Sequence, residues 1–181
     1  MLEEEYLVRE AARGDQQAFA ELYEAHFDRI YRYVYLKIGD RAEAEDMTQQ
    51  VFLHALKSLA SFKYQGKPFT AWLFRIAHNQ IVDYLRRKTR RPLAQEIDER
   101  TKGTGGDPEA IVELRLSVER LNEATQHLTE SQREVLSLRF AGGLSIEEAA
   151  KAMGKSSGAI KALQHAAVVS LRKILAVQED G

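Results

Sequence analysis

Two stretches of this 181-residue chain interleave side chains suited to holding a nucleic acid. The first is Phe62-Lys63-Tyr64-Gln65-Gly66-Lys67. Its rings can stack on an unpaired base, an interaction worth about 1–3 kcal/mol per base, while its lysines neutralise neighbouring phosphates. The second comprises Ser156, Ser157, Lys161, Gln164 and His165, with Arg172 and Lys173 two turns further on. Among these, Gln164 can pair with adenine, Lys161 can donate to guanine or to phosphate, and Arg172 or Lys173 can hold the backbone. Bond-breaking chemistry has no comparable support. His26, His54, His78, His127 and His165 lack ligand spacing, and there is no cysteine. Metal centres, thiol catalysis and disulfides are therefore not expected, and neither is a cofactor. No nucleophile stands beside a base, and no phosphate-binding loop occurs.

Charge is segregated along the chain in a way that the net value of -1 conceals. Residues 1–50 hold 12 acids and 6 bases, whereas residues 63–91 hold eight basic residues against Asp83 alone, a local balance of +7. The basic stretch can follow a phosphate backbone, and the acidic remainder repels it. Weak nonspecific DNA binding by the free protein is the expectation. No apolar run approaches the roughly 18 residues of a membrane span, and the acidic start lacks the basic flank of a signal peptide. A cytoplasmic location follows as an expectation.

Helical periodicity positions these residues. Asp15 is placed to cap a long helix carrying Phe19, Leu22, Tyr23, Ile30, Tyr33, Val34 and Leu36. After Gly39-Asp40 a second helix runs from about Ala42 to Leu59, with Met47, Val51, Ala55 and Leu59 on one face and a polar face opposite. Gly66 and Pro68 break the pattern, and Thr70 to Lys88 resumes it through Trp72, Leu73, Ile76, Ile81 and Leu85, with Trp72 assigned to the core. Residues 92–108, with their Gly103-Thr104-Gly105-Gly106 run, read as an exposed linker. Near the C-terminus, Ser145-Ile146-Glu147-Glu148 has capping-box form, Gly154 supplies a turn, and Ser156 or Ser157 can cap a helix through Ile160, Leu163, Ala167 and Leu171. Ala150, Gly154 and Ile160 provide the small contact residue, the turn and the apolar anchor of a helix-turn-helix. A plain helical hairpin with solvated polar residues is the simpler alternative. No useful β-alternation occurs, so the predicted fold is all-α: two small helical domains joined by a flexible linker, the second with the helix-turn-helix.

Two separate stretches resemble one family. Asp46-Met47-Thr48-Gln49-Gln50-Val51-Phe52, then Phe69 to Asn79 and Asp83-Tyr84-Leu85-Arg86-Arg87, resemble region 2 of bacterial sigma factors. Thr129-Glu130-Ser131-Gln132-Arg133-Glu134-Val135-Leu136 and the helix-turn-helix resemble region 4. Their order, with only a linker between, is that of the small extracytoplasmic-function (ECF) type. The resemblance implies a region 2 domain over residues 1–91, a linker over 92–112 and a region 4 domain over 113–181. It implies that Asp46, Gln49, Gln50 and Phe52 dock on core RNA polymerase at the clamp helices of its largest subunit. It further implies that the loop with Lys63 and Tyr64 captures a flipped base of the -10 element, and that Asn79, Asp83, Arg86 and Arg87 face that element. Ser156, Ser157, Lys161, Gln164, His165 and Arg172 then read the -35 element. Ala162 and Gln164-His165-Ala166 stand where many relatives carry more arginine, which leaves the -35 sequence open. The chain ends six residues after Leu175, so control by a C-terminal extension is not expected. An anti-sigma factor is an expected partner.

The reading that emerges is a non-enzymatic factor that directs RNA polymerase to promoters and promotes their opening. A conventional regulator, dimerising through its N-terminal helices on a palindromic operator, is the main rival. An adaptor acting only through protein contacts would leave the basic stretch from Lys63 to Arg91 without a role.

Overall fold

The computed structural model describes residues 2–65, 67–90, 120–121 and 123–179; the linker expected over 92–112 and Gly66 of the basic loop lie outside them. The described residues form helices joined by short turns and loops, with no strand among them, as the periodicity predicts. Helix α1 (Leu2–Ala12) is followed by α2 (Gln16–Ile38), α3 (Arg41–Ser58), a short 3-10 turn at Leu59–Ser61 and α4 (Phe69–Arg90). The second unit contains α5 (Glu130–Leu136), a π-helical turn (Ser137–Ala141), α6 (Ile146–Met153) and α7 (Ser157–Glu179).

Each start and stop has a local cause. The Asp15 carboxylate accepts from the Gln17 and Ala18 amides at 2.8 and 3.1 Å, and Asp40 accepts from Glu43 at 2.8 Å. Each thereby satisfies amides that the first helical turn leaves without partners. Between α2 and α3 the chain reverses at Gly39, whose φ of +80° favours glycine. Reciprocal capping boxes open α5, between Thr129 and Gln132, and α6, between Ser145 and Glu148. Gly154 closes α6 at φ +64°, and the Ser156 hydroxyl accepts from Ala159 at 3.1 Å to start α7. Of the two serines proposed as caps, Ser156 is the one used.

Packing follows the apolar stripes. Leu22, Ile30, Tyr33 and Val34 of α2, Met47, Val51, Ala55 and Leu59 around α3, and Phe69, Leu73, Phe74 and Ile81 of α4 form one core. Leu36, counted with the α2 stripe by spacing, is exposed instead. Trp72, assigned to the core, packs against its edge. It is half-buried, tilted against Phe62 and Phe69 at ring distances of 4.9 and 5.6 Å. His26 is buried, and its Nε2 lies 2.8 Å from Glu4 Oε1, which ties α1 to α2. That bond holds the Glu4 carboxyl below its ordinary range despite partial burial.

The second unit packs directly on α2 and α4, and Val135, Leu138, Leu144 and Ile160 join the same apolar cluster. A polar cluster sits at the junction. Glu134 is buried and accepts from the Tyr33 hydroxyl at 2.6 Å, with Lys37 on its second oxygen and His78 Nδ1 3.3 Å from its first. Burial raises this carboxyl, but the contacts from His78, Lys37 and Tyr33 prevail and hold it at about 2, against an ordinary 4.5. Beside it, Arg29 donates to the carbonyls of Gly142 and Gly143 at 2.8 and 3.2 Å, and Arg32 to that of Ala141 at 3.3 Å. The cations thus meet the carbonyl-rich end of the π turn.

Two measurements test this account. Ser145→Ala should cost about 1 kcal/mol in urea unfolding, since it removes one cap and leaves the core intact. For Glu134 the folded value lies below the ordinary one, so its contribution is complete above about pH 4.5 and fades as pH falls toward 2. Between pH 6 and pH 3 the wild type should therefore lose about 2 kcal/mol more than Glu134→Gln. Equal losses would show that the carboxylate does not stabilise the junction.

Candidate nucleic-acid interface

On α3 the inner face is spent on the core, which leaves Asp46, Gln49 and Gln50 exposed on the outer one. They border a shallow groove of about 650 Å³, lined also by Phe19 and Tyr23 of α2 and by Leu53 and Leu56. Phe52 does not share their position. Only 3% of it is exposed, and its ring meets Tyr23 edge-on at 4.7 Å, so it forms the floor of the groove and belongs to the core. Leu53 and Leu56, at 51% and 47% exposure, are apolar residues that the sequence reading passed over. The signal was available. Both fall outside the Met47-Val51-Ala55 stripe, so the face opposite the core is not uniformly polar.

The basic loop leaves α3 through the 3-10 turn. Phe62 tucks against Phe69 and Trp72, and Tyr64 meets Phe62 edge-on at 5.0 Å, leaving Lys63, Tyr64 and Lys67 exposed. Burial, and then the charges of Glu4 and Glu5, push the Tyr64 phenol well up from an ordinary value at which it is already neutral near pH 7. A neutral ring on an aromatic base, flanked by lysines, can stack on a nucleobase without repelling its phosphate.

Along α4, Asn79, Asp83, Arg86 and Arg87 are all exposed. The helix is fastened to α3 by Tyr84, whose hydroxyl donates to Glu43, and by Lys88, 3.7 Å from the same carboxylate. Asn79 stands apart from the other three. With His78 and Arg75 it lines a cleft of about 360 Å³, closed on the far side by Glu130, Met153 and Lys155 of the second unit.

In the helix-turn-helix, Ala150 and Ile160 are buried as expected, and Lys161, His165, Arg172 and Lys173 project from α7. Two of the expected contacts are engaged elsewhere. The Ser156 hydroxyl is occupied as the cap of α7, and Ser157 is half-buried. Gln164 is likewise half-buried, and its carbonyl accepts from Arg139 Nε at 2.8 Å. Pairing with adenine needs both ends of the amide, so in this arrangement Gln164 positions Arg139 and is not free to read a base. Arg139 also donates to the Leu144 carbonyl and was not foreseen, because nothing local marks a partner 25 residues away. No metal-holding cluster of His, Cys, Asp and Glu occurs among the described residues. None of the described helices is long and apolar enough to cross a membrane.

The comparisons with known proteins follow the same division. Residues 22–91 match the model for sigma-70 region 2, and residues 124–173 match that for sigma-70 region 4. The ECF RNA polymerase sigma factor SigD of Mycobacterium tuberculosis is 33% identical over 180 residues, covering 96% of this chain and 84% of its own. The chain belongs to the ECF RNA polymerase sigma factors. SigW of Bacillus subtilis is 30% identical, with 93% of this chain and 94% of SigW covered. BldN of Streptomyces coelicolor is 40% identical over 93% of this chain, which spans only 64% of BldN. Among solved structures, CnrH in complex with the cytosolic domain of CnrY superposes with a TM-score of 0.73 at 26% identity, over 97% of this chain and 98% of that one. Sigma factors of this family direct RNA polymerase to promoters.

Stability separates the groove's floor from its rim in this sigma factor. Phe52→Ala should cost about 3–5 kcal/mol, whereas Leu53→Ala and Leu56→Ala should stay within about 0.5 kcal/mol of wild type. Urea titrations of the three variants check this, and a small loss for Phe52→Ala would return that ring to the surface.

Proposed function

We propose that the first unit docks on core RNA polymerase through the α3 groove, that the basic loop and α4 engage the -10 element, and that α7 reads the -35 element. The observation that carries this reading is the placement of Asp46, Gln49 and Gln50 beside exposed Leu53 and Leu56. An apolar strip rimmed by polar groups is the composition of a protein interface. It lies on the helix whose other face makes the core, so a docked partner is held rigidly relative to α4. Tyr64 with Lys63 supplies stacking and phosphate contact for an unpaired base, and Arg86 and Arg87 continue the contact along the backbone.

On α7, Lys161 and His165 are one turn apart on the exposed face, and Arg172 with Lys173 follows at phosphate-contact range. Gln164 acts through Arg139 in this proposal, and Ser156 acts through the backbone amides it orders at the start of the helix. Phe52 supports the docking surface from beneath. The domain limits follow as residues 1–91 and 113–181, joined by 92–112. The factor performs no bond-making chemistry of its own, works in the cytoplasm and is restrained by a protein partner, an anti-sigma factor, as the solved complex of CnrH with CnrY encourages. A palindrome-binding regulator would need a symmetric dimer surface, and the groove's mixed rim offers no particular support for one.

Run-off transcription on a panel of candidate promoters decides between the readings. Core polymerase with this protein should give promoter-specific transcripts that core alone does not, and the Asp46→Ala, Gln50→Ala double variant should lower them at least about tenfold, roughly 1.4 kcal/mol or more of docking energy. Specific duplex binding that ignores core polymerase would overturn the proposal in favour of the regulator.

A further inference from the structure

Helix α1 has no part in the promoter reading above, yet it makes one specific polar contact. Its Glu4 Oε1 lies 2.8 Å from Nε2 of His26, a ring buried along the inner face of α2. The other ring nitrogen, Nδ1, is buried and meets no hydrogen-bond partner among the described residues. Of the two polar atoms of the ring only Nε2 is engaged there, so Glu4 decides which way the imidazole is turned.

The turned ring bears on the basic loop through a series of aromatic contacts. His26 packs against Phe69 at 5.5 Å with the planes 63° apart, and Phe69 meets Phe62 edge-on at 5.9 Å. Phe62 in turn meets Tyr64 edge-on at 5.0 Å and Trp72 at 4.9 Å. All of these lie at the spacing where tilted or edge-on rings attract. Helix α1 also packs on the 3-10 turn from which the loop departs, with Val8 and Ala11 in the core. The charges of Glu4 and Glu5 both act on the Tyr64 phenol, which sets the first turn of α1 near the exposed end of the series.

We propose that Glu4 and His26 are positioning residues for base capture, holding Phe69 and Phe62 in the arrangement that presents Tyr64 to an unpaired base of the -10 element. The base-capture half of this inference rests on the promoter reading above; the relay from Glu4 to Tyr64 does not. A ring that must be ordered on binding loses part of what stacking contributes, and a ring already held in place does not. The same acid could instead repel phosphate from the lysines of the loop, and that role has the opposite sign, because losing Glu4 would then improve promoter opening.

Glu4 forms the outer side of the pair, with 29% of its side chain exposed, so it can be changed without entering the core. Glu4→Ala removes the bond, Glu4→Gln keeps a bond and removes the charge, and Glu3→Ala changes an exposed neighbour. Trp72, the sole tryptophan of the chain, reports on the ring cluster in the free protein. Its quenching by acrylamide should rise about twofold in Glu4→Ala and stay at the wild-type level in Glu4→Gln and Glu3→Ala. In the holoenzyme, permanganate reactivity of unpaired -10 thymines on a promoter found by run-off transcription reads opening, and affinity for core polymerase is measured beside it. Glu4→Ala should lower opening about fivefold, the effect of one lost hydrogen bond, with core affinity unchanged and with Glu4→Gln restoring the wild-type level. Made in a Tyr64→Ala background, the same change should have less than about a twofold effect, because the relay then ends on no ring. Far-ultraviolet circular dichroism confirms that each variant retains its helices. Should Glu4→Ala lose them, Glu4→Asp, which keeps the charge and shortens the reach, should move both readouts in the same direction. Unchanged Trp72 quenching would overturn the relay. An undiminished effect in the Tyr64→Ala background would overturn positioning, and so would a rise in opening, which would favour phosphate repulsion. A wild type that yields no promoter-specific transcripts would remove base capture, while the Trp72 measurement would still decide the relay.

Discussion

A carboxylate removed from water is tolerated only where its charge and its lone pairs are met, and Glu134 is the point at which this molecule meets that constraint. Tyr33, Lys37 and His78 come from two helices that must lie side by side at a fixed spacing to reach one side chain. That spacing is set by the core beneath, where Tyr33 and Phe74 cross edge-on at 5.2 Å. The buried acid therefore ties the register of α2 against α4 to the seat of the second unit. A purely apolar junction could slide; one organised around a single anion cannot.

The same division between inner and outer helix faces runs through the sigma factor. Helix α3 devotes Ala44, Met47, Val51 and Ala55 to the core and presents Asp46, Gln49, Leu53 and Leu56 outward. Helix α4 buries Leu73, Phe74 and Ile81 and turns Asp83, Arg86 and Arg87 to solvent. Rigid helices held by a close-packed interior give the outward groups a fixed geometry, as recognition of a long polymer and a large enzyme requires.

Much of this was legible from the residues alone, and the legible part is local. Asp15, Asp40, Ser145 and Gly154 act within four residues of themselves, so their types and positions disclose the helix ends. Stripes at helical period disclosed most of the core. Phe52 was misplaced because an aromatic residue beside polar neighbours reads equally well as an interface or a floor, and only the ring of Tyr23 decides it. Gln164 was given to DNA because its partner, Arg139, is remote in sequence. The Glu134 socket was illegible for the same reason, with its ligands 56 to 101 residues away. Trp72 fell between, since its environment is an aromatic cluster at the edge of the core.

The π turn at Ser137–Ala141 has a consequence for how this protein can change. Its closing bond runs from the Gly142 amide to the Ser137 carbonyl, five residues back and 2.9 Å away, so the segment holds one residue more than a continuous α-helix would need. An α-helix advances about 100° per residue. The surplus residue thus sets the angle between the acid on α5 and everything that follows, including the reading helix. Gain or loss of a single residue here would reset that angle by about 100°. Chain length across these five positions is thus a constraint separate from composition, which the buried Ser137 and Leu138 also limit.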